Sequence, residues 1–426
     1  MRYKLITLLF ILSFITCLYS KHSLCRNLER VSDTSLQRSL ECELGQFKIR
    51  KNVLASGNSD HYFECVDFDL KYEGEGVRIY VESDYNTADH LSNDALDAMI
   101  ETFIFSTPNA EHDSLDVGIK TAEEMIFGDP PNKAGDGMVN ILILDVRDNY
   151  SGAGDFVAGY FDQNDQSNNG TSNMMDIIYI DCYPQDLTMP YPEEALFTLA
   201  HEYEHLLHYN ADADENTDGG SLNPWMDEGL ADLAPSLLGL GNRDYGYYLS
   251  NTAIALDEWD SNGLEYYAKS ALFIRYLYEE LGLSFIADIF TDSERSRLTS
   301  IKYWLEVRYP EISFDDLFIE WVEKIVLNDH LLSDCKSRFI AQERIDLLEL
   351  GSHSIEKDPF NIPQYSSYHV KVSRYIEKEM IYEHIHRIES RLFNVTENVV
   401  IEHEDPGLWI LDDPYYDSEV VYSIIQ

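Results

Sequence analysis

The sequence predicts an α+β protein with a sheet-containing first part, a mainly helical second lobe and a small β-rich C-terminal appendage. Three observations support this prediction. Strand-like stretches and helical periods alternate up to about residue 181, helical periods dominate from 229 to 350, and strand-like stretches return after about 360. Strands and short helices that precede a longer helix indicate a sheet packed beside that helix.

The first 20 residues predict a secretory signal peptide. Arg2 and Lys4 precede an apolar run over residues 5–19. A charged start followed by a short apolar region is typical of such a signal, and the run is shorter than the roughly 20 residues that span a bilayer. No other apolar run in the sequence is long enough to span a bilayer. We therefore expect a secreted or extracytoplasmic protein without a membrane span.

The acidic composition of the chain bears on which partners it can bind. The chain has 31 Lys and Arg against 77 Asp and Glu, for a net charge of −46. A surface this acidic argues against nucleic acid or an anionic membrane as partner. Hydrophobic residues make up 44% of the chain, which is enough for a large core.

The chain has six cysteines, and Cys17 lies in the predicted signal peptide. An odd number therefore remains in the mature chain, so at least one thiol stays free or pairs between chains.

The first part of the mature chain is predicted to span residues 61–215. Residues 21–60 are polar and weakly patterned, and we interpret them as a leader or cap. Residues 91–127 carry helical periods, and four stretches have strand patterns: 77–81, 138–144, 156–161 and 176–181. We expect residues 155–161 to offer a sheet edge with which a peptide can pair.

The most informative motif reads His-Glu-Tyr-Glu-His at residues 201–205. Apolar residues around it follow a helical period. On one helix, His201 and His205 share a face, with Cβ atoms about 5–6 Å apart. Two imidazoles at this spacing suit one Zn²⁺, at about 2.0–2.1 Å per bond. Glu202 lies one step round the helix, where it can reach a water at the ion rather than the ion itself.

A third ligand is expected downstream of the two histidines. Glu228, near the start of a second predicted helix, is the preferred candidate, and Asp227 is the adjacent alternative. Asp232 lies one turn beyond Glu228 and can accept a hydrogen bond from the far nitrogen of a zinc-bound His. The longer pattern HExxHxxGxxH does not fit this chain. His208 stands where that pattern has Gly, and Ala211 stands where it has its third His. We interpret His208 as a partly solvated residue near the helix end.

These motifs resemble the gluzincin metallopeptidases, the clan that includes thermolysin. The shared pattern is HExxH, followed about two dozen residues later by Asn/Asp-Glu-x-x-x-Asp on a helix. Flanking stretches narrow the resemblance to the secreted hyicolysin-type neutral metalloproteases, over roughly residues 75–290. These stretches are 136–145, 159–161, 177–181, 198–201 and 225–230. Asp227 departs from the family, which more often has Asn there.

The resemblance implies a zincin-like catalytic core, in which a mixed sheet lies beside the HExxH helix. It implies zinc as the cofactor, with three ligands, His201, His205 and Glu228. It also implies Glu202 as the general base and Asp232 as the hydrogen-bond partner of a ligating His.

The resemblance further implies a tyrosine that stabilises the oxyanion. In gluzincins this residue lies at the start of the helix after the third ligand, which corresponds to residues 264–277 here. The register favours Tyr267, with Tyr266 as the runner-up. The alternative is that these tyrosines only pack the helix.

The second lobe is predicted to span residues 216–355, and the C-terminal part residues 356–426. Helical periods of the lobe cover 229–240, 267–281, 283–291, 298–308, 314–328 and 337–350. Strand patterns of the C-terminal part cover 368–372, 398–401 and 420–422, around a short predicted helix at 374–386.

An acidic loop between the two ligand helices is a candidate calcium site. It contains Asp212, Asp214, Asn216 and Asp218. The loop lacks the Gly and Glu that an EF-hand requires at its sixth and twelfth positions. A looser oxygen-ligand site and a solvated loop therefore stay open as alternatives.

Taken together, the sequence predicts an exported zinc endopeptidase that acts on protein or peptide substrates. Two alternatives remain. One is a zinc hydrolase of another amide or ester, built on the same site. The other is an exported binding or adhesion module whose metallopeptidase site has lapsed, and the intact Glu202 argues against it.

Overall fold

The computed structural model describes residues 40–327, with gaps at 56–57, 86–88, 153–155, 213–223, 261–262 and 296–297, and short strands between 367 and 425. The predicted signal peptide, the acidic loop beyond Asp212 and the predicted helix at 337–350 lie outside the described residues. The chain divides into two compact units. The first comprises residues 1–242, 261–263 and 290–296, and the second comprises 243–260, 264–289 and 297–426.

A six-stranded mixed sheet forms the centre of the first unit. Its strands are β1 (Gln46–Arg50), β2 (Phe63–Gly74), β3 (Val77–Glu82), β4 (Val139–Leu144), β5 (Gly159–Phe161) and β6 (Asp176–Asp181). Their order across the sheet is β1-β2-β3-β4-β6-β5. The pairs β3–β4 and β4–β6 are parallel, and the other pairs are antiparallel. The mixed sheet and the surrounding helices confirm the predicted α+β class.

Two interior strands of the sheet, β4 and β6, are buried along their whole length. Side chains alternate between the faces of a sheet, so each strand supplies apolar residues to both faces. On one face Leu142, Leu144 and Ile177 join a core cluster with Phe47 of β1. Near-continuous apolar runs of this kind are typical of parallel strands covered on both sides.

The first strand lies inside the segment that the sequence analysis interpreted as a leader or cap. Gln46–Arg50 pairs with β2, and a disulfide between Cys42 and Cys65 joins the segment to that strand. Phe47 and Ile49 alternate into the core. The sheet therefore begins earlier in the chain than residue 61.

Four α-helices complete the described part of the first unit. They are α1 (Asn93–Ile100), α2 (Ile119–Phe127), α3 (Glu193–Asp212) and α4 (Pro224–Leu237). One π-helical turn, Glu101–Phe105, follows α1, and four short 3₁₀ turns are Asp60–Tyr62, Ser83–Tyr85, Asp113–Leu115 and Gln163–Gln166. Helix α3 packs against β5, β6, α2 and α4.

Helix α3 carries the HExxH motif and is buried on every side from Thr198 to His208. It begins directly after Pro192, with Glu193 and Glu194 in its first turn, where acids interact favourably with the helix dipole. Between Thr198 and His208 its apolar side chains are buried, and so are its polar residues from 201 to 205. A helix buried on every side belongs to the interior of a protein, so its polar groups need partners from neighbouring elements.

Helix α4 carries the candidate third ligand. It begins at Pro224, a favoured first helical position because proline lacks the N–H that would go unbonded there. Every residue of α4 is buried. The contacts of the chain place α4 in the first unit, whereas the sequence analysis began the second lobe at residue 216. Packing of α4 along α3 accounts for this difference.

Helices dominate the second unit before residue 328. They are α5 (Gly246–Leu249), α6 (Leu264–Leu281), α7 (Leu283–Phe290), which ends within the first unit, α8 (Leu298–Arg308) and α9 (Phe314–Leu327). Six strands follow: β7 (Ser367–Lys371), β8 (Tyr375–Ile376), β9 (Glu389–Asn394), β10 (Val399–Val400), β11 (Trp409–Ile410) and β12 (Val420–Ile425). They form two sheets, with orders β10-β9-β12-β7 and β11-β8. The helix predicted at 374–386 is wrong at its start, because Tyr375–Ile376 pairs as a strand with β11.

None of the helices within the described residues has both the length and the apolar character needed to cross a bilayer.

We expect Gly159→Ala to destabilise the first unit by about 1–3 kcal/mol, because an added methyl group overpacks this site. A Cβ at Gly159 would lie 2.5 Å from Thr198 Cγ2 and 2.7 Å from the Tyr179 carbonyl oxygen. Urea unfolding followed by tryptophan fluorescence measures the change. Adding Thr198→Ala should recover only part of the loss, since the Tyr179 backbone remains. A Gly159→Ala protein as stable as the parent would show that β5 and α3 are not this close.

Candidate metal centre

Three side chains from two helices converge at the centre of the first unit. The Nε2 atoms of His201 and His205 lie 3.2 Å apart. Glu228 Oε2 lies 3.4 Å from His201 Nε2 and 3.6 Å from His205 Nε2. All three side chains are almost fully buried. The structure thus brings together the two histidines and the carboxylate that the sequence analysis selected as ligands.

Carboxylates on α4 determine which ring nitrogens of the two histidines carry hydrogen. His201 Nδ1 lies 3.0 Å from Asp232 Oδ1, as expected for a hydrogen bond from a zinc-bound His to its carboxylate partner. His205 Nδ1 lies 3.4 Å from Asp227 Oδ1. A carboxylate accepts hydrogen bonds, so each neutral ring carries its hydrogen on Nδ1. Both Nε2 atoms then present lone pairs to each other and to Glu228.

This donor set fits a tetrahedral zinc ion. Bonds of about 2.0–2.1 Å at tetrahedral angles separate ligand atoms by about 3.3–3.4 Å, close to the separations among the three atoms here. Glu228 Oε2 is buried and accepts no hydrogen bond. Two lone pairs and a carboxylate oxygen facing one another repel unless a proton or a cation lies between them. Two imidazoles and a carboxylate suit zinc, with a fourth position for water or substrate.

The electrostatic field at the centre favours positive charge. Burial lowers the pKa of His201, but the neighbouring carboxylates of Asp232 and Glu228 outweigh this and raise the pKa overall. For His205, burial is again opposed by Asp227 and Glu228, and the pKa lies well above its ordinary value. The negative groups that favour a proton on each ring also favour a divalent cation between the rings.

Glu202 lies beside the three candidate ligands and is 1% exposed. Burial raises the pKa of Glu202 to about 7, although the charges of His201 and His205 and a hydrogen bond from the Phe161 backbone lower it. A pKa near neutrality suits a group that takes and returns a proton. The Phe161 contact also joins this carboxylate to strand β5, which the sequence analysis did not foresee.

Asp227, the alternative to Glu228 as a ligand, contacts His208 instead. Asp227 Oδ1 lies 2.7 Å from His208 Nδ1, on the Nδ1 side of His205. His208 is 6% exposed and its ring stacks on Phe290. The interpretation of His208 as partly solvated is therefore wrong. Helix α3 stays buried to this position because α4 and Phe290 cover it.

The candidate oxyanion donor belongs to the second unit. Tyr267 is 1% exposed, and its ring lies 4.5 Å from that of Trp259 and 5.7 Å from the Arg243 guanidinium. Tyr266 is only partly buried. These contacts explain how Tyr267 is held within its own unit, and its catalytic role stays a prediction.

Sequence reasoning missed a second group of acids next to the centre. Glu204, His205 and Asp227 each offer a ligand atom, and these atoms lie within 4.8 Å of one another. Glu123 of α2 is also fully buried, and the charge of Glu204 acts on it. The spacing of Glu204 and His208, four positions apart on one helix, is the only sequence signal that pointed to this group.

No protein-family model matches the chain. Among curated proteins, the chain is similar to the neutral metalloprotease ShpI of Staphylococcus hyicus, with 28% identity over 219 residues. The matched segment covers 49% of this chain and 46% of that protein. The chain therefore spans about half the length of the curated relative it matches.

Proposed function

We propose that this protein is a zinc endopeptidase of the gluzincin type. The observation that supports it most is the convergence of two Nε2 lone pairs and the Glu228 carboxylate on one buried point. The similarity to a protein named as a neutral metalloprotease supports a metallopeptidase in general. The resemblance to the hyicolysin-type enzymes supports the finer assignment, and the apolar run at residues 5–19 supports export.

In the proposed reaction, the metal and Glu202 have different chemical roles. His201, His205 and Glu228 would hold a zinc ion, which would supply the Lewis acidity needed to activate water and polarise the scissile carbonyl. Glu202 accepts the proton of the attacking water and later gives it to the leaving amine. The hydrogen bond from the Phe161 backbone holds this carboxylate in one orientation during both transfers.

The proposed substrate is an extended peptide that pairs with β5. In the described sheet β5 is an edge strand, since only β6 pairs with it. An extended peptide can add to such an edge through backbone hydrogen bonds. The Phe161 contact with Glu202 supports this route, because a peptide on that edge would lie close to the proposed base.

The test of the proposal is a digest of casein and of a peptide library by the full chain loaded with zinc. We expect cleavage at internal peptide bonds, its loss with a chelator and its return when zinc is restored. Stoichiometric zinc without peptide cleavage, but with hydrolysis of another amide or ester, would replace the endopeptidase by that hydrolase. A chain that binds no zinc after metal-replete expression would instead favour the binding-module alternative.

The proposed oxyanion donor is tested by a matched pair of variants. We expect Tyr267→Phe to lower kcat by about 10²–10³-fold, the usual effect of removing one oxyanion donor, with little change in KM. Tyr266→Phe, which removes the hydroxyl next to it, should leave kcat near the parent value. The reverse pattern would transfer the role to Tyr266, and two active variants would show that both tyrosines only pack the helix.

A further inference from the structure

A second cluster of carboxylates lies next to the proposed zinc ligands, on the far side of the His205 ring. We define the acidic cluster as Glu123, Glu204 and Asp227, which come from α2, α3 and α4 respectively. Their exposed fractions are 0%, 0% and 1%. Three helices of the first unit thus each contribute one buried acid.

Two members of the acidic cluster have carboxylates that accept no hydrogen bond. Neither oxygen of Glu204 has a donor within reach, and the same holds for both oxygens of Glu123. A buried ionised carboxylate is strongly disfavoured unless a cation or hydrogen-bond donors compensate its charge. Most buried polar groups in native proteins are hydrogen-bonded, so buried carboxylates that accept no hydrogen bond need a specific explanation.

The geometry brings the carboxylates of Glu204 and Asp227 together beside the His205 ring. Ligand atoms of Glu204, His205 and Asp227 lie within 4.8 Å of one another, and Glu204 Oε2 lies 3.6 Å from His205 Nδ1. Glu204 contributes the strongest charge acting on Glu123. The charges that act most on Glu204 are those of His208, His205 and Asp227. The only basic groups among these are imidazoles.

The Nδ1 atoms of His208 and His205 face Asp227 and orient its carboxylate without neutralising the cluster. His208 Nδ1 lies 2.7 Å from Asp227 Oδ1, and His205 Nδ1 lies 3.4 Å from the same oxygen. Both imidazoles therefore direct hydrogen toward Asp227, which leaves the oxygens of Glu204 and Glu123 available to another partner.

We propose that the acidic cluster binds a second divalent cation, separate from the proposed catalytic zinc. Carboxylate oxygens from Glu123, Glu204 and Asp227 would be its protein ligands, and His208 would orient Asp227. Oxygen donors of this kind suit Mn²⁺ or Ca²⁺, and Zn²⁺ also accepts carboxylates. The two sites use opposite nitrogens of His205: Nε2 faces the first ion, and Nδ1 faces the carboxylates that hold the second.

The role that follows is structural. A cation joining α2, α3 and α4 would hold the helices that carry the three zinc ligands against each other. Because it binds the folded chain and not the unfolded one, it stabilises the fold by mass action. The loop predicted as a calcium site, beyond Asp212, is a different part of the chain.

The test uses the full chain, stripped of metal and then titrated with Zn²⁺, Mn²⁺ or Ca²⁺ alone and with Zn²⁺ plus either of the others. Elemental analysis and Tm are the two readouts. We expect the parent to bind about two ions per chain, Glu204→Gln about one, and Glu124→Gln about two, since a structural ion leaves when its ligand is removed. Glu124 is a matched control, because it neighbours Glu123 but already pairs with Lys120 and Tyr203.

His201→Ala separates this proposal from the proposed function. We expect it to lose the zinc ion and to keep the second ion, whose binding should still raise Tm. If the parent binds a single ion that disappears in His201→Ala, or if Glu204→Gln binds as many ions as the parent, the second site does not exist, whatever the catalytic activity.

A crystal of the parent soaked in Mn²⁺ keeps the test decisive if Glu204→Gln fails to fold. We expect an anomalous peak among the three carboxylates, at about 2.1–2.4 Å from their oxygens. The absence of a peak there would mean that protons neutralise the acidic cluster, and the proposal would be overturned.

Discussion

Glu202→Gln should abolish peptide hydrolysis while the chain keeps its zinc. The substitution preserves the shape of the side chain and its hydrogen bond from the Phe161 backbone, but an amide cannot accept the proton of the attacking water. General acid–base catalysis by one residue contributes about 10²–10⁴-fold, so we expect kcat to fall by at least this factor. Zinc content, measured by elemental analysis, should be unchanged.

The matched control is Glu194→Gln on the same helix. Glu194 is exposed in the first turn of α3, so the variant removes an equal charge without touching the centre and should keep full activity. A Glu202→Gln enzyme with parental kcat would reject Glu202 as the base. Loss of zinc in the same variant would instead indicate that Glu202 binds the metal directly.

His201→Ala should remove the zinc ion itself. The substitution deletes one of three protein ligands and removes the hydrogen bond between the His201 ring and Asp232. Zinc bound by three protein ligands depends on each of them, and metal affinity is coupled to folding. We expect zinc at the catalytic site to fall from about one ion per chain to nearly none, with loss of all hydrolysis and a lower Tm.

His61→Ala provides the comparison for adventitious zinc. His61 is exposed and stacks on Tyr62, so its loss should change neither zinc content nor activity. Unchanged zinc in His201→Ala would exclude His201 from the ligand set. An equal loss in both variants would mean that zinc binds to surface histidines rather than to the buried centre.

The helical pattern of the sequence was enough to predict that the two histidines of the proposed zinc site lie side by side on α3. His201 and His205 are four positions apart in a helical pattern, and the structure brings their rings together. Glu228 is distant in sequence, and its selection depended on the resemblance to a known pattern. Its position beside the two rings results from the packing of α4 on α3, which no local pattern contains.

Contacts made by buried polar residues were the least predictable. An amphipathic reading of α3 placed His208 near solvent, but Phe290 and α4 cover that face. Glu123 and Glu204 were not selected, because an isolated acid in a sequence is most often exposed. The strand Gln46–Arg50 was missed for a related reason, since its polar, cysteine-containing surroundings resemble a leader more than a sheet.

The most direct test of the central claim is a crystal structure of the zinc-loaded chain with anomalous data collected at the zinc absorption edge. We predict one strong peak at the proposed centre, at about 2.0–2.2 Å from His201 Nε2, His205 Nε2 and a Glu228 oxygen, with a fourth position held by water. A zinc ion located elsewhere, or a Glu228 carboxylate turned away from a zinc held by other groups, would contradict the proposed metallopeptidase centre.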